Sequence, residues 1–129
     1  MKFSNFYPSY NNTFTFNMEF VVCQGQYRLT NKIGSGAFGD IYGACSTNDP
    51  SSEFAVKLEH KSCNPPQLIY EAKVYQYLQG KPGVPNVLYN GREGDYEALV
   101  MERLGPSLND LFEYCHERFT IKTVAMICL

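Results

Sequence analysis

Ile33-Gly34-Ser35-Gly36-Ala37-Phe38-Gly39-Asp40-Ile41-Tyr42 is the stretch from which the architecture can be worked out. Before it, Tyr27-Arg28-Leu29-Thr30-Asn31-Lys32-Ile33 alternates in the manner of a strand, and residues 40–45 resume a strand-like pattern. The glycines between them predict a hairpin with an unusually permissive turn. The spacing G-x-G-x-x-G also marks dinucleotide-binding folds, where the third glycine opens a helix. Here Asn48-Asp49-Pro50 turns the chain soon afterwards, leaving no room for such a helix. Glu59 does stand about twenty residues on, where a ribose-binding acid would fall, so spacing alone leaves that reading open. A hairpin that merely needs glycine is the plain structural alternative.

Working outward, Asn48-Asp49-Pro50-Ser51-Ser52 is a turn, and residues 53–59 form a third strand around Lys57. Asn64-Pro65-Pro66 opens a helix, with Asn64 as its cap and Pro65 at its first position. That helix is expected over residues 67–79 and is ended by Gly80. Residues 86–92 and 96–102 read as two more strands around Glu93-Gly94-Asp95. Ser107 caps a helix running to about His116, with Asp110 as the acid of a capping box, and Thr120 caps a last helix. The expected fold class is α+β: one five-stranded antiparallel sheet with one helix packed on it, followed by two further helices.

Lys57 ends the apolar run Phe54-Ala55-Val56-Lys57, and Glu71 follows fourteen positions later. As a helix, Leu68, Glu71, Ala72, Tyr75 and Leu78 make one stripe that should face the sheet. A carboxylate in an apolar stripe is costly to bury without a cation, and Lys57 is the cation supplied. The bland alternatives are a solvent-facing edge lysine and a glutamate at the stripe's margin. A glycine turn, a strand lysine and a helix carboxylate together are the parts that hold nucleotide phosphates. Val100-Met101-Glu102-Arg103-Leu104-Gly105-Pro106 then leaves a buried strand through an extended segment, which can offer backbone groups to an adenine edge.

Totals bound the rest. The chain has 129 residues, 44% hydrophobic and 19% charged, which suits one globular domain. A net charge of −2 gives no basic field for nucleic acid or an anionic membrane. No stretch approaches a membrane span, and residues 1–17 lack the apolar run of a secretory signal. Asn11-Asn12-Thr13 matches a glycosylation sequon that an intracellular chain would not use. The five cysteines include no C-x-x-C pair, which argues against a metal site or disulfide framework and for a reducing, intracellular location, cytoplasmic and/or nuclear.

From Met18 to Leu129 the chain resembles the front part of a casein kinase 1 type Ser/Thr protein kinase. The resemblance rests on residues 27–42, Phe54-Ala55-Val56-Lys57-Leu58-Glu59, Gln67-Leu68 with Glu71-Ala72-Lys73, and Glu93-Gly94-Asp95-Tyr96. Its most specific part is Val100-Met101-Glu102-Arg103-Leu104-Gly105-Pro106-Ser107-Leu108-Asn109-Asp110-Leu111-Phe112. The resemblance implies ATP as ligand, transfer of its γ-phosphate to protein Ser/Thr, and a kinase N-terminal lobe over residues 18–104. Residues 105–129 would start the large lobe, and residues 1–17 would be a poorly ordered extension upstream of a start at Met18. It further implies that Gly34, Ser35, Gly36, Ala37, Phe38 and Gly39 cover the phosphates and that Ile33, Ile41 and Ala55 roof the adenine. Lys57 would bind phosphate and pair with Glu71, Met101 would guard the back of the pocket, and Glu102 and Leu104 would belong to the adenine-binding hinge.

A kinase also needs H-R-D and D-F-G motifs, whose Asp and Asn residues orient the acceptor hydroxyl and hold Mg2+. Neither occurs in the sequence, and His60 and His116 are followed by Lys61 and Glu117. The catalytic loop would fall on the order of twenty residues beyond Leu129. Ile121, Val124, Ala125, Met126, Ile127, Cys128 and Leu129 make the last helix apolar nearly all round, so it expects burial. The expectation is thus a truncated kinase domain whose nucleotide lobe is present, with its Mg2+ ligands and protein-substrate site missing. A non-catalytic interaction or regulatory fragment is the alternative.

Overall fold

A computed structural model describes residues 20–36 and 39–128. The chain divides between Leu104 and Gly105 into two compact units. The first is built on an antiparallel sheet of β1 (Val21–Val22), β2 (Tyr27–Gly36), β3 (Gly39–Ser46), β4 (Glu53–His60), β5 (Val87–Glu93) and β6 (Tyr96–Glu102), in the order β1-β2-β3-β4-β6-β5. Helix α1 (Leu68–Leu78) joins β4 to β5. The fold class is α+β, with six strands among the described residues where five were expected. The additional strand, β1, has two residues, too few to give a period-two signal. It pairs with β2 through a tight turn in which Cys23 and Gln24 take positive φ and Gly25 follows at φ 86°.

Period-two alternation sorts each strand between two faces. The inner face carries Val22, Ala44, Val56, Leu58, Ala98 and Val100, with Tyr27, Leu29, Tyr42, Phe54 and Tyr89 packed around them. The outer face carries Leu99, on which Leu68 and Ala72 of α1 close with help from Tyr75, Val87 and Met101. The predicted stripe of α1 is therefore the face that is buried, and Gly80 ends the helix at φ 81° as expected. Its start differs from the expectation. Asn64–Pro65 is a cis peptide lying before the helix, and Gln67 occupies the cap position without a side-chain cap of its own.

The two edges of the sheet meet. Glu93, the last residue of β5, accepts hydrogen bonds from the backbone N–H of Cys23, just past β1, at 2.8 Å and from the Tyr89 hydroxyl at 2.9 Å. One carboxylate thus joins the first and last strands in sheet order and leaves the sheet nearly closed. The surroundings are dry enough to raise the Cys23 thiol to about 11 by burial, with the Glu93 charge adding to it. Burial and the Glu93 hydrogen bond push the Tyr89 phenol to about 12.

The second unit, described from Gly105 onward, contains α2 (Leu108–Tyr114) and α3 (Ile121–Ile127). Ser107 and Asp110 form the expected capping box, and the Thr120 hydroxyl accepts from the Thr123 N–H. α2 ends at Tyr114, two residues short of the expected His116, which takes a positive φ. Neither helix buries a residue, and Ile121 is 90% exposed. No helix among the described residues is long and apolar enough to cross a membrane. The expectations for residues 1–17, the start at Met18 and the terminal Leu129 fall outside the described residues.

The edge-to-edge closure predicts a specific weakness. Glu93→Ala leaves a backbone N–H and a phenol without their acceptor, which should cost about 1–3 kcal/mol of unfolding free energy, read as a lower urea midpoint. Labelling of Cys23 by a thiol reagent, read on its own peptide, should accelerate in the same variant. Unchanged stability and unchanged labelling would show that the seam is held by packing alone.

Candidate nucleotide site

The outer face of the sheet brings the glycine turn and Lys57 into one line. Directly opposite residues share a face, and the register pairs Gly34 with Ile41, Ile41 with Lys57, and Lys57 with Leu99. A parallel row runs Gly43, Ala55, Met101 and Val87. Two strand spacings separate Gly34 from Lys57, on the order of 10 Å. Ile33 stands at the irregularity between the Lys32–Tyr42 and Gly34–Ile41 pairs, where a bulge re-aims the strand. Past Glu102, whose N–H donates to the Asn86 carbonyl at 3.1 Å, the chain leaves the ladder. Leu104 is exposed at this exit, while Met101 is half-buried behind it. Ala37 and Phe38, the tip of the turn, are outside the described residues.

Lys57 and Glu71 form an ion pair with Nζ to Oε2 at 2.5 Å. The lysine side chain is 16% exposed and the glutamate 31% exposed, so the pair is partly sheltered and still reachable from solvent. This is the arrangement that the α1 stripe called for. Partial desolvation strengthens the attraction, but two charges taken from water offset much of that gain. The pair's consequence is geometric: it holds the ammonium on the outer face rather than among its conformers in water.

The glycines divide by what requires them. Gly39 has φ 131°, and a Cβ there would lie 2.3 Å from the Leu58 carbonyl oxygen, so the fold itself demands glycine. Among the described residues, a Cβ at Gly34 would meet only Ile41 at 3.7 Å, an ordinary contact, and one at Gly36 would meet nothing within 4 Å. The hairpin reading therefore accounts for Gly39, and the packing of the described residues does not by itself require glycine at 34 or 36. The Ser35 hydroxyl is engaged within the turn, donating to Asp40 Oδ1 at 2.8 Å. Lys32 Nζ lies 2.6 Å from the same oxygen, and these bonds, with Lys32 first, hold the Asp40 carboxyl below its ordinary range.

Several neighbours were not legible as site residues. Gly43 is a glycine because a Cβ would fall 2.7 Å from Thr30 Oγ1 and 3.6 Å from Arg103 Nη1. Arg103, just past β6, pairs with Glu53 at the start of β4, Nη1 to Oε2 being 3.4 Å. Glu59 is not a ribose-binding acid: both of its carboxylate oxygens accept from the start of α1, Gln67 N–H at 3.0 and 3.1 Å and Leu68 N–H at 3.2 Å. Period-two spacing from Lys57 would have placed it on the helix-facing side. A depression of about 320 Å³ near it is lined by Lys61, Cys63, Pro66, Ile69, Arg92 and Glu97 among others. Its cations are spoken for, Lys61 by Asp95 and Arg92 by Glu97. Among the described residues no three His, Cys, Asp or Glu side chains converge in a metal-binding group. No protein-family model matches the chain.

The Asp40 bonds give the turn a pH dependence whose sign is fixed. A carboxyl whose folded value is lowered contributes stability that is present above the ordinary aspartate range near ~4 and is lost as pH falls through the lowered value. Amide exchange at Ser35 and Ile41 should be slower in wild type than in Asp40→Asn at pH 6, with the difference shrinking as pH falls below the ordinary aspartate range. Equal exchange in the two proteins at pH 6 would assign the protection to backbone pairing alone.

Proposed function

We propose that this chain binds ATP on the outer face of its sheet, as the nucleotide lobe of a casein kinase 1-like protein serine/threonine kinase. The observation that carries the reading is the row Gly34, Ile41, Lys57, with Lys57 held by Glu71 and with no described residue crowding a Cβ at Gly34 or Gly36. Backbone without side chains can approach phosphate closely, and a fixed ammonium supplies the countercharge. Half-buried Ile41 offers an apolar surface to a purine, with Ala55 buried beside it and Met101 and the segment through Glu102 and Leu104 adjoining. The sequence resemblance supplies the kinase assignment itself; geometry alone supports an anion and a planar ring on this face.

The residues fit ATP better than they fit its metal. Glu71, the carboxylate beside Lys57, is already engaged by that lysine. The residues that would hold Mg2+ and orient an acceptor hydroxyl belong to H-R-D and D-F-G motifs that these 129 residues do not contain. What these residues do is bind and orient; phosphoryl transfer to a protein Ser/Thr requires the missing groups. A second reading, an interaction module, is favoured by the exposed apolar side chains of α2 and α3, including Ile121, Met126 and Tyr114.

Gly36 gives a clean test because a Cβ there meets none of the described residues within 4 Å. Gly36→Ala should leave unfolding stability within about 0.5 kcal/mol of wild type and weaken binding of a fluorescent ATP analogue several-fold. Lys57→Met should weaken it further. Neither variant should alter casein phosphorylation, which the 129-residue chain should lack. Equal affinity in wild type and both variants would refute the nucleotide site, and Lys57-dependent phosphorylation of casein would refute the claim that these residues only bind.

A further inference from the structure

Glu59 is the one buried charged side chain among the described residues, 2% exposed. It lies two residues after Lys57 on β4, on the same face of the strand. Three backbone N–H bonds at 3.0–3.2 Å satisfy its carboxylate, all from Gln67 and Leu68 at the start of α1. The helix supplies no cap of its own at Gln67. A cap drawn from neighbouring sequence would satisfy those groups equally well, and it would leave the helix free to shift along the sheet. A cap drawn from β4 ties the helix end to the strand that carries Lys57. The second tie, Lys57 to Glu71, falls one turn further along the same helix. Two attachments about 5–7 Å apart, made by one strand, fix both the position and the rotation of the helix.

We propose that Glu59 is a positioning residue for the nucleotide site: by capping α1 from β4 it holds Glu71 where it can pair with Lys57. Its electrostatics suit the task, because a carboxylate at a helix N-terminus meets unsatisfied N–H groups and the positive end of the helix dipole. On β6, Glu97 stands directly opposite Glu59, and Arg92 binds it at 2.8 Å, so the second acid is neutralised separately. Glu59 touches no ligand and acts through Glu71. The functional side of this inference rests on the ATP-binding reading above; the mechanical side does not.

The test uses the whole 129-residue chain and two readouts. The first is the NMR signal of the Lys57 ammonium, whose proton exchange reports the ion pair without nucleotide. The second is affinity for mant-ATP, a fluorescent ATP analogue. Glu59→Gln keeps the shape and removes the charge; it should speed Lys57 ammonium exchange and weaken mant-ATP binding, each on the order of 10-fold. In a Glu71→Gln background the same change should add nothing to either readout, because Glu59 acts through that residue. A lower unfolding midpoint with an unchanged Lys57 signal would overturn the proposal, leaving Glu59 as a stability element. If wild type fails to bind mant-ATP while the Lys57 signal responds as expected, positioning stands and the nucleotide reading falls. Wild type provides a check should the variants not fold. In rising urea below the transition, the Leu68 amide and the Lys57 ammonium should lose protection in the same step, and earlier loss at Lys57 would contradict the coupling.

Discussion

Strand β4 is the constraint on which the rest of the described sheet unit depends. Its inner face supplies Val56 and Leu58 to the core, and its outer face supplies Ala55, Lys57 and Glu59 in succession. Two of those outer residues are charged and point toward a helix, an arrangement that would be costly without partners. The partners are Glu71 and the N–H groups of Gln67 and Leu68. The strand thereby fastens α1 by charge at two points, while Leu68 and Ala72 fasten it to Leu99 by burial. Apolar contact decides that the helix packs there, and the directional bonds decide its register and rotation. Hydrophobic contact tolerates sliding, whereas a 2.5 Å ion pair and three backbone bonds do not.

A second constraint works at the opposite side of the sheet. An open six-stranded antiparallel sheet presents two unpaired edges, which invite association with other chains. Glu93 brings β1 and β5 together through the Cys23 N–H, so the edges face each other. The sheet gathers the aromatic side chains Tyr27, Tyr42, Phe54 and Tyr89 on its inner face and carries the rows of Lys57 and Ala55 on its outer face.

Much of this was legible in the sequence, and the parts that were not share a cause. The pairing of Lys57 with Glu71 followed from a carboxylate in an apolar stripe, and the hairpin around the glycines followed from alternation and turn chemistry. The capping box at Ser107 and Asp110 was visible because both partners lie within four residues. What escaped was non-local. Glu59 caps a helix that begins nine residues later, and Glu93 bonds a residue seventy positions away. Asn64 and Pro65 looked like a helix start because local statistics favour them, yet the groups they would have served are taken by Glu59. β1 is too short for any periodicity, and the space that Gly43 leaves for the Thr30 hydroxyl depends on strand register. The glycine turn changed meaning in detail: Gly39 is needed by the fold, while the described residues put no such demand on Gly34 and Gly36.

The central claim is that nucleotide lies on the outer face along the Gly34–Lys57 and Gly43–Met101 rows. Backbone amide and methyl NMR spectra of the 129-residue chain, recorded during titration with ATP, test it most directly. The account predicts saturable shifts concentrated at Gly34, Gly36, Ile41, Ala55, Lys57 and Met101, with the inner-face residues Val22, Ala44 and Val100 little affected. Shifts centred on the depression between Lys61 and Arg92, or none at millimolar ATP, would contradict it.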